Sequence, residues 1–203
     1  MDNKQHWETI YSEKQPKEVS WTQEYPTLSL ELIQNTKQPK SARIIDVGGG
    51  ESILVDHLLQ LGYQNIAVLD VSENALKRSQ LRLGEISKNI EWIVSDITDF
   101  HSDKKYDIWH DRAVFHFLTD AKAIAKYKTN ALHALNEKGD FIIGTFSDLG
   151  PKKCSGLEIN QYTEEILTDV FSPEFLPIEF RREDHLTPFG TLQNFVFGRF
   201  QKR

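Results

Sequence analysis

The sequence predicts an α/β fold, doubly wound, with a mostly parallel sheet covered by helices on both faces. Three observations predict it. Short apolar runs alternate along the chain with segments of helical period, the pattern of βαβ units. One such unit turns on three successive glycines, Gly48, Gly49 and Gly50. Acidic and histidine residues follow the apolar runs (Asp46, Asp70, Asp96, His110 and Asp111), and ligands of such folds sit at the carboxyl ends of the strands.

The N-terminal forty residues come first. Trp7, Ile10 and Tyr11 at helical spacing predict a short amphipathic helix over residues 3–14, which Pro16 interrupts. Ser20-Trp21-Thr22-Gln23-Glu24-Tyr25-Pro26 leads into a second helix carrying Leu28, Leu30, Leu32 and Ile33. The large aromatics ahead of the first strand have two readings. They dock these helices onto the domain, or residues 1–40 form a lid over a core of 41–203, with Trp21 or Tyr25 facing the ligand.

The apolar run Ala42 to Val47 then meets the glycines, and a helical pattern opens at Ser52 (Ile53, Leu54, Leu58, Leu59, Leu61). Glycines at that corner let the backbone approach a ligand, and the helix start offers free N–H groups. The second strand, Ile66 to Leu69, ends in Asp70, twenty residues after Gly50, where a ribose hydroxyl pair finds its acceptor in nucleotide-binding βαβ units. An ordinary crossover, with glycines serving only the turn, remains the alternative. Ile53 stands where a dinucleotide fingerprint needs a third small residue. Asp46 and Glu51 flank the turn and would repel a pyrophosphate. Together with Asp70 they suit a ligand with adenosine at one end and positive charge at the other, which describes S-adenosyl-L-methionine.

Ser72 can cap a helix from Glu73 to about Leu83, ended by Gly84. The third strand is Ile90 to Val94, leading to Ser95-Asp96-Ile97; the fourth is Tyr106 to Trp109, leading to His110-Asp111-Arg112-Ala113. Residues 120–136 read as a helix closed by Lys138-Gly139, and Phe141 to Phe146 as the fifth strand. A long loop with Gly150-Pro151 and Cys154 follows, then a helix over 163–171 and two strands near Leu176 to Phe180 and Leu192 to Phe200. Repeats and low-complexity linkers are absent, so 1–203 reads as one domain.

Composition narrows the partners. A net charge of −6 over 203 residues argues against general nucleic-acid binding. No apolar run approaches membrane-spanning length, and Met1-Asp2-Asn3-Lys4-Gln5 is too polar for a signal peptide. The single cysteine, Cys154, excludes an internal disulfide. These features predict a cytoplasmic protein. A metal site is not expected, since His110, Asp111 and His116 lack ligand spacing.

The motifs together resemble the class I S-adenosylmethionine-dependent methyltransferases over nearly the whole chain. Asp46-Val47-Gly48-Gly49-Gly50 is similar to their first motif, Asp70 with Val71 to the ribose-binding acidic segment, and Asp96-Ile97 to the segment at adenine. Asp107-Ile108-Trp109-His110-Asp111-Arg112-Ala113 is similar to a stretch after strand four in thiopurine-type and small bacterial methyltransferases. The resemblance implies a Rossmann-like, seven-stranded sheet whose last strand is antiparallel.

Methyl transfer needs a dry, well-positioned pocket, and a general base only where the acceptor must lose a proton. Asp111 and His110 are the catalytic candidates; as structural residues, Asp111 would cap a helix and His110 would be a satisfied polar group. His116, between Phe115 and Phe117, reads as packed, and His185, with Thr187-Pro188, is a candidate to enter the site from the strand-six loop. Cys154 is an apolar filler or a contact for a soft acceptor. The expected function is methylation of a small molecule on S, N or O. The alternatives are a protein lysine methyltransferase, a dinucleotide-dependent oxidoreductase and a non-catalytic cofactor-binding module.

Overall fold

The computed structural model describes residues 3–203; Met1 and Asp2, at the head of the polar N-terminus and of the segment 1–40, lie outside the described residues. Five parallel strands form on the β-branched and aromatic runs: β1 (Arg43–Val47), β2 (Asn65–Asp70), β3 (Glu91–Val94), β4 (Tyr106–Arg112) and β5 (Leu135–Phe146). A short hairpin, β6 (Lys153–Cys154) with β7 (Leu157–Glu158), folds out of the stretch expected to be a loop. Its turn is made by Ser155 and Gly156, both at positive φ (50° and 79°). The long strands β8 (Phe175–Leu186) and β9 (Leu192–Lys202) close the main sheet, whose order is β3-β2-β1-β4-β5-β9-β8. β9 pairs antiparallel with both neighbours, so the sheet is seven-stranded with its last strand reversed.

Alternation along β1 shows how the sheet is covered. Ile44 packs with Leu30, Leu32 and Ile33 of α2 (Thr27–Asn35), Leu54, Val55 and Leu58 of α3 (Leu54–Gln60) and Leu76 of α4 (Glu73–Leu83). Its neighbour Ile45 points the other way, into the core built by Tyr127, Ala131, Leu167 and Phe171 from α5 (Ala121–Ala134) and α6 (Glu164–Phe171). The N-terminal helix α1 (Asn3–Glu13) lies outside both cores, against α4. Helix starts follow the capping chemistry. Ser72 accepts from the Ala75 amide, Asp120 from those of Lys122 and Ala123, and Thr163 from that of Ile166.

Several boundaries move. Glu73–Leu83 is helical as expected and Gly84 ends it at φ 59°, but a 3₁₀ turn continues to Asn89. The helix of 120–136 stops at Ala134, and residues 136–139 form an irregularity in register between the Tyr106–Leu135 and Ile108–Asp140 pairs. Strand β4 runs three residues past Trp109, because Asp111 and Arg112 still pair with Ile143 and Gly144. That extension decides where the candidate site residues point.

Candidate functional site

The carboxyl ends of β1, β2 and β4 and the loop after β3 form the floor of one cavity of about 280 Å³. The glycine turn shapes it. Gly48, at φ 67°, donates its amide to the Leu69 carbonyl, and a Cβ there would stand 1.9 Å from Val114 Cγ2. A Cβ on Gly49 would stand 2.6 Å from both Asp46 Oδ2 and Val68 Cγ1. The turn therefore packs against its neighbours more closely than any Cβ allows, while Gly48 and Gly49 line the cavity with main chain alone, a surface that a bulky nucleoside can approach.

Acidic groups ring the floor. Asp46 is buried and its Oδ1 lies 2.7 Å from His110 Nδ1, while His110 Nε2 lies 2.9 Å from Ser29 Oγ on α2. Both imidazole nitrogens are thereby engaged. Asp70 accepts from the Ser72 amide at 2.8 Å, and burial pushes its carboxyl up to about 7 despite that bond, with Asp46 and Glu8 adding to the rise. Asp96 accepts from both the amide and the hydroxyl of Thr98 at 2.8 Å, which fixes the turn before Phe100. Glu51 lines the cavity too, but it is ion-paired to Arg78 at 3.0 Å, so the negative potential of the floor rests on Asp46, Asp70 and Asp96.

The roof is the N-terminal segment. Trp21 packs edge to face on both Trp7 and Tyr11, Trp7 is tilted against Tyr11 and edge to face on Phe117, and the centroids lie 5.1–6.4 Å apart. Glu8 fastens α1 down by accepting from the Ser72 hydroxyl and from the Glu73 and Asn74 amides at the start of α4. Arg78 donates to the Lys14 carbonyl, and His185 Nε2 lies 2.7 Å from the Ser20 carbonyl oxygen.

Of the residues singled out in the sequence, Asp46, Gly48, Gly49, Asp70, Val71, Asp96, Ile97, His110 and Trp21 line this one cavity. Gly50 sits just behind it, its carbonyl taken by the Ser79 hydroxyl. Asp111 is placed elsewhere, and its expected contact with the site needs correcting. In the extended β4 it points opposite to His110 and Arg112, where it accepts from the Tyr127 hydroxyl at 2.7 Å and the Val114 amide at 3.0 Å. Burial pushes its carboxyl up to about 6. Tyr25 is 55% exposed and packs on His57, away from the cavity. His116 is buried and stacked on Phe146, and burial takes it down to about 3. Cys154 does line the cavity, and burial raises its thiol. His185 ties down the roof instead of lining the floor.

Reading the sequence missed three contributors. Ser29 completes the Asp46–His110 chain from a helix face that reads as plain core. Glu8 is an ordinary charge on an amphipathic helix until α4 is brought beneath it. Arg112, quoted only as part of its motif, reaches the cavity because β4 continues through it. Among the described residues no group of three or more His, Cys, Asp or Glu side chains is arranged to hold a metal ion, and no helix is long and apolar enough to cross a membrane.

Comparison with known proteins gives a consistent picture. The family model described as Nodulation protein S (NodS) matches residues 15–157. The malonyl-[acyl-carrier protein] O-methyltransferase 2 of Ilyobacter polytropus is 27% identical over 138 residues, 67% of this chain and 50% of that protein. Nodulation protein S of Rhizobium tropici is 24% identical over 139 residues, 68% of this chain and 58% of that one. The chain spans about half the length of the curated relatives it matches. Among solved structures, the N-methyltransferase NodS of Bradyrhizobium japonicum WM9 in complex with S-adenosyl-L-homocysteine superposes with a TM-score of 0.73 at 16% identity, over 99% of both chains, and so shares the fold.

Proposed function

The chain belongs to the nodulation protein S (NodS) family, and from that premise we propose that it is a class I methyltransferase moving the methyl group of S-adenosyl-L-methionine to a heteroatom of a small-molecule acceptor. One observation carries the reading. The glycine cradle, the acidic floor and the aromatic roof converge on a single cavity. In this reading Asp70 accepts from the ribose hydroxyls, and Val71, Asp96 and Ile97 border the adenine. Gly48 and Gly49 give the ligand close access to the main chain. Asp46 faces the ammonium, and His110, held by Ser29, keeps that carboxylate oriented. Trp21, Trp7 and Tyr11 offer ring faces to a cation.

The cofactor supplies an electrophilic methyl on a sulfonium, and the protein supplies orientation and exclusion of water. With both nitrogens of His110 engaged and Asp111 on the opposite face of the sheet, neither expected base is free to take a proton. The reading therefore favours an acceptor atom that already presents a lone pair, such as a neutral amine. A roofed cavity of this size suits a small molecule better than an extended protein chain. The lone, buried Cys154 and the acidic composition support a cytoplasmic setting.

Calorimetry with S-adenosyl-L-methionine, S-adenosyl-L-homocysteine and NAD tests the cofactor. The first two bind and NAD does not; tight NAD binding with no response to the others refutes the reading. Incubation with methyl-labelled cofactor and either small-molecule pools or cell-extract protein tests the acceptor. Label passing to protein alone makes the enzyme a protein methyltransferase instead.

A further inference from the structure

Arg112 lines the cavity, and the proposed function does not use its chemistry. It stands at the end of β4, and the sheet order runs β3-β2-β1-β4-β5. Asp96 follows β3, Asp70 ends β2 and the glycine turn follows β1, so adenine, ribose and sulfonium are spaced along that order. Arg112 comes next, one strand beyond the glycine turn, where the acceptor has to lie. Its guanidinium bonds to the Trp21 carbonyl, and Phe117, Phe146 and Cys154 line the same cavity.

The guanidinium is held but not neutralised. Nη1 donates to the Trp21 carbonyl at 3.0 Å, and the group stacks 4.6 Å above the Phe195 ring centroid. Nε and Nη2 are closed off from solvent and have no hydrogen-bond partner. Those two atoms form the edge of the guanidinium that grips a carboxylate through two parallel hydrogen bonds. Among the described residues Arg112 makes no ion pair. Glu183 acts on it only at longer range, and Glu183 is itself raised by burial and accepts from Gln23. Burial lowers Arg112 to about 10, the sign of a cation short of a partner. A buried, unpaired donor edge is costly, and a bound oxyanion removes that cost.

From this geometry we propose that the methyl acceptor carries a carboxylate, held by Arg112, whose guanidinium turns its unpartnered Nε–Nη2 edge into the cavity on binding. The inference rests on the methyl-transfer reading of the cavity. In this proposal the arginine-bound carboxylate serves as the handle, and the methyl group goes to another heteroatom of the same molecule. The bond from sulfonium carbon to sulfur breaks, the acceptor lone pair forms the new bond to carbon, and S-adenosyl-L-homocysteine leaves with the sulfur electron pair. The aromatic walls of the cavity suit a flat or apolar body behind the carboxylate.

Calorimetric titration of paired probes tests this: benzoate with benzamide, phenylacetate with phenylacetamide, and 3-aminobenzoate with 3-aminobenzamide. Each is run with and without S-adenosyl-L-homocysteine. At least one carboxylate should bind about tenfold to a hundredfold more tightly than its amide. Arg112→Met should abolish that preference and Arg112→Lys restore part of it, while affinity for S-adenosyl-L-homocysteine, which also reports that each variant is folded, falls by no more than the single bond to Trp21 accounts for, about tenfold at most. Equal binding of every carboxylate and its amide overturns the proposal. So does a loss of S-adenosyl-L-homocysteine affinity in Arg112→Met as large as the loss of carboxylate preference, since the arginine would then serve the cofactor's own carboxylate. If the wild type does not bind S-adenosyl-L-homocysteine at all, the methyltransferase reading fails, and the titrations without it still decide whether Arg112 holds a carboxylate.

Discussion

Asp70→Asn should make the protein more stable above neutral pH while weakening its grip on the cofactor. Burial raises the Asp70 carboxyl from 3.8 to about 7. A carboxyl that holds its proton more tightly folded than unfolded adds stability at low pH, in full below about pH 4, and that stability is lost as pH rises through about 7. Roughly three pH units at about 1.4 kcal/mol each set a ceiling of about 4 kcal/mol on the cost of keeping Asp70 ionised at pH 8. Asparagine keeps the oxygen that accepts from the Ser72 amide at 2.8 Å and carries no charge. It should recover about 1–3 kcal/mol, a rise in Tm of roughly 3–10 °C for a chain of this length. Scanning calorimetry without ligand reads this at pH 8, and the gain should vanish at pH 5, where the wild-type group is protonated. If Asp70 accepts from the ribose, the same variant loses charge-assisted bonds of about 1.5–3 kcal/mol, so S-adenosyl-L-homocysteine binds about tenfold to a hundredfold more weakly at pH 8. Wild-type affinity should itself rise between pH 6 and 8 with release of a proton. An unchanged Tm at pH 8 refutes the electrostatic argument; an unchanged affinity puts Asp70 outside the ribose site.

Three further perturbations test the floor and the roof. Gly48→Ala drives a Cβ to 1.9 Å from Val114 Cγ2 at a positive φ, which should cost about 1–3 kcal/mol and remove S-adenosyl-L-homocysteine binding; wild-type affinity would show that the cradle is not used. His110→Ala strands Asp46 and Ser29 in a buried site, for a loss of about 1–3 kcal/mol in denaturant unfolding, and a neutral result would mean that solvent reaches them. Glu8→Ala frees the three donors it satisfies at the start of α4, at about 1–2 kcal/mol, so hydrogen exchange should speed up over residues 3–13 while strands β1, β4 and β5 keep their protection.

The floor of the site was legible in the sequence because its parts are local. A glycine turn, a strand-end aspartate and a Ser72 cap announce themselves within a few residues, and the alternation of elements orders them along one sheet edge. What escaped depends on contacts far apart in the chain. Asp111 and His110 are adjacent, and their types alone gave no reason to separate them; only the continuation of β4 beside β5 turns one toward α2 and the other toward α5. Arg112 escaped for the same reason. The hairpin at Lys153–Glu158 is held by two residue pairs, too few to leave a periodic signal. Glu8 and Ser29 meet their partners across 64 and 81 residues, a separation that no spacing rule covers.

The roof follows a different energetic logic from the floor. Its polar ties include Glu8 to α4, Arg78 to Lys14, Arg112 to Trp21, His185 to Ser20 and Gln23 to Glu183. At about 0.5–1.5 kcal/mol each they offset the ordering of only a handful of residues, since fixing each backbone unit costs about 1–2 kcal/mol. The rest must come from burying Trp7, Tyr11 and Trp21 against one another and Trp7 against Phe117, and all four of those rings line the cavity. A ligand that fills the cavity therefore packs against the same surfaces that hold the roof down. Closure and ligand binding draw on one set of contacts, and each strengthens the other. Removing residues 1–25 should accordingly leave a folded sheet that still binds S-adenosyl-L-homocysteine, but weakly, and turns nothing over. In the intact protein, exchange protection of residues 3–25 should rise when S-adenosyl-L-homocysteine is added. Protection that is full beforehand and does not change would make the segment a fixed wall, and the coupling argued here would be wrong.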